Sequence, residues 1–136
     1  MHKRAEIRDY VVSKLQSATS AGSNVFGNRF APLWENETPS ILVYSLDESS
    51  VDLNMSQKIL RRTLHLGIEI RHEGTEQLDD VIDDISDEVE ILMKDDQDLG
   101  GNVIKSDLVS TEFDMSMDAE VPIAALRLNY EIVYLY

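Results

Sequence analysis

The chain contains no cysteine. Disulfides, thiolate nucleophiles and Cys-based zinc sites are therefore excluded, and a reducing compartment suits the composition. Basic residues are scarce: 12 Lys and Arg stand against 26 Asp and Glu, a formal charge of -14. A surface that grips nucleic acid needs clustered Lys and Arg to neutralise phosphates, so specific DNA or RNA binding is disfavoured. A surface that nucleic acid merely slides past fits the same charge, because carboxylates repel phosphate. No apolar run approaches the roughly 20 residues that cross a bilayer. Met1-His2-Lys3-Arg4 leads into a polar helical pattern instead of the apolar stretch of a signal peptide. The expectation is a protein made in the cytoplasm, with no membrane partner.

What is present suffices for a core. The 136 residues are 43% hydrophobic and 28% charged, near the averages for folded domains, and predict one domain over 1–136. Residues 3 to 19 read as an amphipathic helix, with Ile7, Val11, Leu15 and Ala18 on one stripe widened by Tyr10 and Val12. Ser20 to Asn24 stops it. Val25 to Arg29 suits a short edge strand, and Pro32 and Pro39 bracket a loop. The apolar run in Ser40 to Leu46 predicts a strand buried on both faces, followed by a polar turn at Asp47-Glu48-Ser49-Ser50.

Lys58 to Arg71 alternates. Leu60, Leu64, Leu66, Ile68 and Ile70 face one side, and Arg62 interrupts the row, which puts the first residues past the core edge. Residues 75 to 94 carry the clearest helical stripe: Leu78, Val81, Ile82, Ile85, Val89, Leu92 and Met93, with Thr75 as the expected N-cap. Val103 to Phe113 and Val121 to Tyr136 predict two strands joined through Asp114 to Glu120. In the last strand Leu126, Leu128, Tyr130, Ile132, Tyr134 and Tyr136 share a face. The expected fold is α+β: a single layer of mostly antiparallel sheet, two helices packed on one face, and a long C-terminal β-hairpin.

Little in this pattern carries chemistry. Asp96-Gln97-Asp98-Leu99-Gly100-Gly101 is a poor calcium loop, because Gly100 offers no side-chain oxygen and a strand pattern follows. A helix stop with glycine in the left-handed region explains it more simply. His65 and His72 fall on opposite faces of one strand and His2 is remote in sequence, so no metal site converges. There is no nucleophile elbow and no phosphate loop. The expectation is a protein without cofactor, metal or catalytic residues, with assembly favoured over an enzyme built on an unrecognised carboxylate pair. The aspartates Asp79, Asp80, Asp83, Asp84 and Asp87 read either as a solvated helix face or as a surface that repels DNA in a pore.

Taken in order, several segments resemble the phage tail terminator proteins, the minor tail protein U group of long-tailed phages. They are Ile7-Arg8-Asp9-Tyr10-Val11, Val25-Phe26-Gly27-Asn28-Arg29, Thr38-Pro39-Ser40-Ile41-Leu42-Val43-Tyr44, Arg61-Arg62-Thr63-Leu64, Leu78-Asp79-Asp80 and Pro122-Ile123-Ala124, closing on Tyr130 and Tyr134. The specific part is their order, which spans nearly the whole chain. The resemblance implies a virion protein, assembled in the host cytoplasm, that forms a ring, usually of six copies. The ring sits on the head-proximal end of the tail tube, ends tube polymerisation and offers a surface for head–tail joining. Its partners would be itself, the tail tube protein and a head–tail connector protein, with DNA passing through the lumen unbound. Subunit or tube contacts are expected at Arg29, Arg61, Arg62, Asp114, Met115, Ser116, Met117 and Asp118, and the lumen or acidic face at the aspartates above. The rival readings are another connector or head-completion protein, and a binding module outside phages that takes a peptide along an exposed strand.

Overall fold

The computed structural model describes residues 2–27, 38–54, 58–74, 77–116 and 122–136. Arg29, Pro32, Thr75, Met117 and Asp118 lie outside these residues, so the expectations placed on them have no structural counterpart. The elements in chain order are α1 (Lys3–Leu15), β1 (Val25–Gly27), β2 (Ser40–Asn54), β3 (Ile59–Glu73), α2 (Leu78–Lys94), β4 (Lys105–Ser116) and β5 (Ile123–Leu135).

The alternating residues of β3 and β5 build the core. Leu64, Leu66, Ile68 and Ile70 of β3 are buried, as are Leu126, Leu128, Tyr130, Ile132 and Tyr134 of β5. Antiparallel pairing sets Leu64 opposite Ile132, Leu66 opposite Tyr130 and Ile68 opposite Leu128, which brings these rows to one face. The five strands run in the order β1-β2-β3-β5-β4, all antiparallel except the β1–β2 pair. Both helices cover the same face, α1 over β1 and β2, α2 over β3 and β5. The sheet with two helices on one face and a hairpin after α2 is the α+β arrangement that the sequence predicts.

Helix α2 is held by its stripe. Ile82, Ile85, Val89 and Met93 are each at most 3% exposed, and burying such side chains stabilises by about 1.5–3 kcal/mol apiece. Its N-cap is Gln77, in the left-handed region and without a side-chain capping bond. Helix α1 ends at Leu15, earlier than the predicted residue 19, and Ala18 is exposed. Serine and threonine compete for the backbone there: the Thr19 hydroxyl accepts from the Ala21 N–H at 3.2 Å, and the Ser17 N–H turns to the Gly22 carbonyl at 2.8 Å.

Two further expectations are corrected. Asp47-Glu48-Ser49-Ser50 is not a turn. Strand β2 continues through it to Asn54, with a bulge between Ser45 and Asp47. Each acid finds a partner on a neighbouring element, so polar residues that imitate a turn stay in the sheet: Asp47 on His65, Glu48 on Arg4, Arg62 and Tyr134. Likewise Asp114, Met115 and Ser116 are not in the connection between the last strands. They belong to β4, opposite Ala125, Ala124 and Ile123.

Candidate assembly surfaces

Residues at i, i+3, i+4 and i+7 line one side of a helix, and this divides the aspartates of α2. Asp80, Asp84 and Asp87 recur with Ile91, which is 53% exposed, as an outward ridge opposite the buried stripe. Asp79 and Asp83 lie on a flank beside Ile82 and face β4, where they line a groove with Ile82, Phe113, Asp114, Ala124 and Ala125. All five are exposed, and none has an ion-pair partner among the described residues. Glu88, on the other flank, is tied down, accepting from the Ser20 N–H and hydroxyl at 2.6 Å each.

Strand β4 is an edge that α2 does not reach across. Val109 sits in a bulge between Leu108 and Ser110, and Leu108, Val109 and Phe113 are 37%, 52% and 75% exposed. Asp107, Glu112 and Asp114 interrupt it with charge, one of the devices that keeps an edge from pairing indiscriminately. Asp114 therefore stands beside an exposed aromatic residue.

At the far end of the sheet, the β2–β3 hairpin runs past the core. Val51, Arg61 and Leu135 are cross-strand neighbours on the face away from the helices. Val51 is 63% and Leu135 47% exposed. Arg61 and nearby Lys58 are exposed, with no ion pair among the described residues. Arg62 is different. Its guanidinium lies 3.3 Å from Glu48, and its Nε–H donates to the Tyr136 carbonyl at 3.3 Å. It also lies 5.5 Å from the Tyr136 ring centroid. Arg62 is thus engaged by its own chain, while Arg61 is free to meet another. The structure brings neither of them to Asp114, which lies beyond the other end of the core.

Glu48 is the residue that sequence reasoning passed over. It lies on the helix side of β2 with its side chain 13% exposed, 2.6 Å from Arg4 of α1. The Tyr134 hydroxyl donates to its Oε1 at 2.5 Å. Burial works against the Glu48 charge, but Tyr134, Arg4 and Arg62 overcome it and hold the carboxyl below its ordinary value. Burial and the same bond push the Tyr134 hydroxyl up to about 12. The signal available in the sequence was Val51-Asp52-Leu53, whose alternation continues a strand beyond the apparent turn.

The open sheet face carries a ladder of its own. Tyr44 donates to Glu69 at 2.9 Å, Arg71 pairs with Glu69 at 2.7 Å, and Arg127 pairs with Glu112. Gly67 leaves the space that the Tyr44 ring and the Arg127 stem occupy, since a Cβ there would sit 3.2 Å from each. Glu69 and Glu112 are paired with these cations where they line a shallow cavity of about 520 Å³, and Asp114 shares its rim. No group of three His, Cys, Asp or Glu that could hold a metal occurs among the described residues. Asp96, the lead residue of the weak calcium resemblance, is occupied instead by the Tyr10 hydroxyl at 2.5 Å, the Gly100 N–H at 2.9 Å and Lys14 at 3.3 Å. These partners, Tyr10 first, lower it to about 2.

The family described as phage minor tail protein U matches residues 2–134. No curated protein matches the chain.

Proposed function

Because the chain belongs to the phage minor tail protein U family, a family of phage tail structural proteins, we propose that it acts as a tail terminator, a ring that caps the head-proximal end of the tail tube. On this reading its 136 residues act as one unit, six copies close the ring, one ring face binds the last tube ring, and the other meets the head–tail connector protein. The work is assembly and not catalysis.

The observation that carries the reading is a ridge of uncompensated charge on a chain that also exposes apolar residues at both ends of its sheet. Asp80, Asp84 and Asp87 form a ridge without cations among the described residues, on a chain of net charge -14. Facing a lumen, such a ridge repels phosphate and lets DNA pass without arrest. Apolar residues meanwhile stand exposed at opposite ends of the sheet, at Val51 and Leu135 and at Phe113. Two different patches make a head-to-tail contact, which yields a ring when the rotation closes.

The test is electron microscopy of purified tail tubes polymerised with and without the protein. Rings at one tube end, with tubes that no longer elongate, are expected. Tubes that elongate unchanged, with the protein bound instead to portal-side proteins, would favour the connector reading.

A further inference from the structure

We propose that neighbouring copies join by seating the Val51–Arg61–Leu135 row of one copy, with Lys58, in the acid-rimmed groove between α2 and β4 of the next. The inference rests on the ring reading and names the contact that closes it.

The groove holds about 410 Å³. Ile82 and Ala124, each 3% exposed, form its floor, and Phe113 stands at its wall. Asp79, Asp83 and Asp114 supply three carboxylates to its lining, none of them in an ion pair among the described residues. Like charges gathered beside apolar surface repel one another, and a cation with an apolar stem relieves that repulsion. An arginine meets both needs: its methylenes cover apolar surface, and its guanidinium pairs with carboxylate or stacks on an aromatic ring.

The hairpin end presents the complement. Arg61 sits between Val51 and Leu135 in one cross-strand row, with Lys58 close by. Most other cations are already committed: Arg4 and Arg62 to Glu48, Lys14 to Asp96, Arg71 to Glu69, and Arg127 to Glu112. Lys58 and Arg61 are basic residues left over beside exposed apolar side chains.

One molecule cannot bring the two together. Phe113 pairs with Leu126, and Leu126 with Ile70. Ile70 and Arg61 lie at opposite ends of β3, roughly 30 Å apart at the rise of an extended strand. Only a second copy can place Arg61 against Asp83, and because the two patches differ, the joined pair still has one free patch of each kind, so further copies add head to tail and close when the rotation allows. That is the condition for a closed ring.

Charge reversal tests the contact. One variant carries Lys58→Glu with Arg61→Glu, another Asp79→Lys with Asp83→Lys, and a third carries all four changes. Each is sized by analytical ultracentrifugation at low salt, alone and with purified tail tubes, after circular dichroism has confirmed its fold. Each two-site variant should need about a hundredfold more protein to form rings. Mixing the two should restore rings of alternating copies, and the four-site variant should restore them alone. If the wild type forms rings and the two-site variants do so equally well, the contact lies elsewhere and the ring reading survives. If assembly is lost but neither the mixture nor the four-site variant recovers it, these residues meet the tube protein instead, and the proposed contact is rejected. A wild type that forms no ring even on tubes overturns both.

Discussion

Replacing Glu48 with alanine is expected to cost about 3 kcal/mol of folding stability. The change leaves the hydroxyl of Tyr134, a residue that is 0% exposed, without its acceptor, and an unsatisfied buried hydroxyl costs about 1–3 kcal/mol. It also strips two guanidiniums of their counter-charge. Breaking a fully buried pair costs about 3–5 kcal/mol, but Arg4 is 37% exposed and Arg62 18%, so water recovers most of that. At this chain length the sum corresponds to a fall in Tm of about 10 °C. Urea unfolding followed by far-ultraviolet circular dichroism gives the number directly. Glu48→Gln keeps an acceptor for Tyr134 and removes only the charge, so its cost should be about half. The pH dependence carries its own sign. The folded carboxyl titrates below its ordinary value of 4.5, so the charge contributes stability above that pH, and the contribution is lost as pH falls through the folded value. The gap between wild type and Glu48→Gln should therefore narrow in acid. An alanine variant within about 0.5 kcal/mol of wild type would refute the reasoning, because it would mean that the four side chains meet without depending on one another.

Asp96→Asn should cost about 1–2 kcal/mol at neutral pH, since the carboxyl is lowered to about 2 by Tyr10, Gly100 and Lys14. The difference from wild type should vanish as pH falls from 4 towards 2, as read by thermal melts across that range. Gly100→Ala should destabilise by about 2 kcal/mol, because φ there is +68° and the added Cβ would lie 2.8 Å from the Tyr10 hydroxyl oxygen. An unchanged urea midpoint would show that Tyr10 moves aside freely. The bond to Asp47, opposed by partial burial, raises His65 above its ordinary value of 6.5. The stabilisation is complete below that pH and declines as pH rises through the folded value, so the deficit of His65→Asn should be largest in mild acid and shrink above neutrality. Proton NMR of the ring should place the titration midpoint above 6.5.

Periodicity carried the parts of the fold in which one face is buried. The stripe of α2 and the alternation of β3 and β5 were legible because Ile85, Val89, Leu66, Ile68 and Ile132 all meet the same core. What escaped notice were polar residues whose partners are distant in sequence. Asp47 and Glu48 look like a turn until His65, Arg4 and Tyr134 are seen beside them, the last 86 positions away. Helix α1 was overextended for the opposite reason: Ala18 continues its period, but the neighbouring hydroxyls end the helix locally. Of the candidate contact residues, Arg61 was distinguishable from Arg62 only in three dimensions. In the strand the two are adjacent, but the pleat sends Arg62 to Glu48 and Arg61 away from it.

That division of charge bears on where partners attach. A sheet with helices on one face leaves the other uncovered, and the bare face is the obvious place to look for a docking surface. Here it needs no cover. Asp47, Glu131 and Glu112 are met across the strands by His65 and Arg127, and Glu69 by Arg71 of its own strand, and the Asn129 amide donates to the Ser110 hydroxyl at 2.9 Å. A partner laid on this ladder would have to desolvate ion pairs that are already formed, a cost seldom recovered. The groups that gain from a neighbour are the flanking aspartates of α2, the exposed apolar residues of β4, and Arg61 with its cross-strand neighbours Val51 and Leu135. They lie on the helix side and at the two ends of the strands. A chain that packs its neighbours there keeps the ladder in water, stacks the copies side by side, and leaves the Asp80–Asp84–Asp87 ridge uncovered to face whatever passes between them.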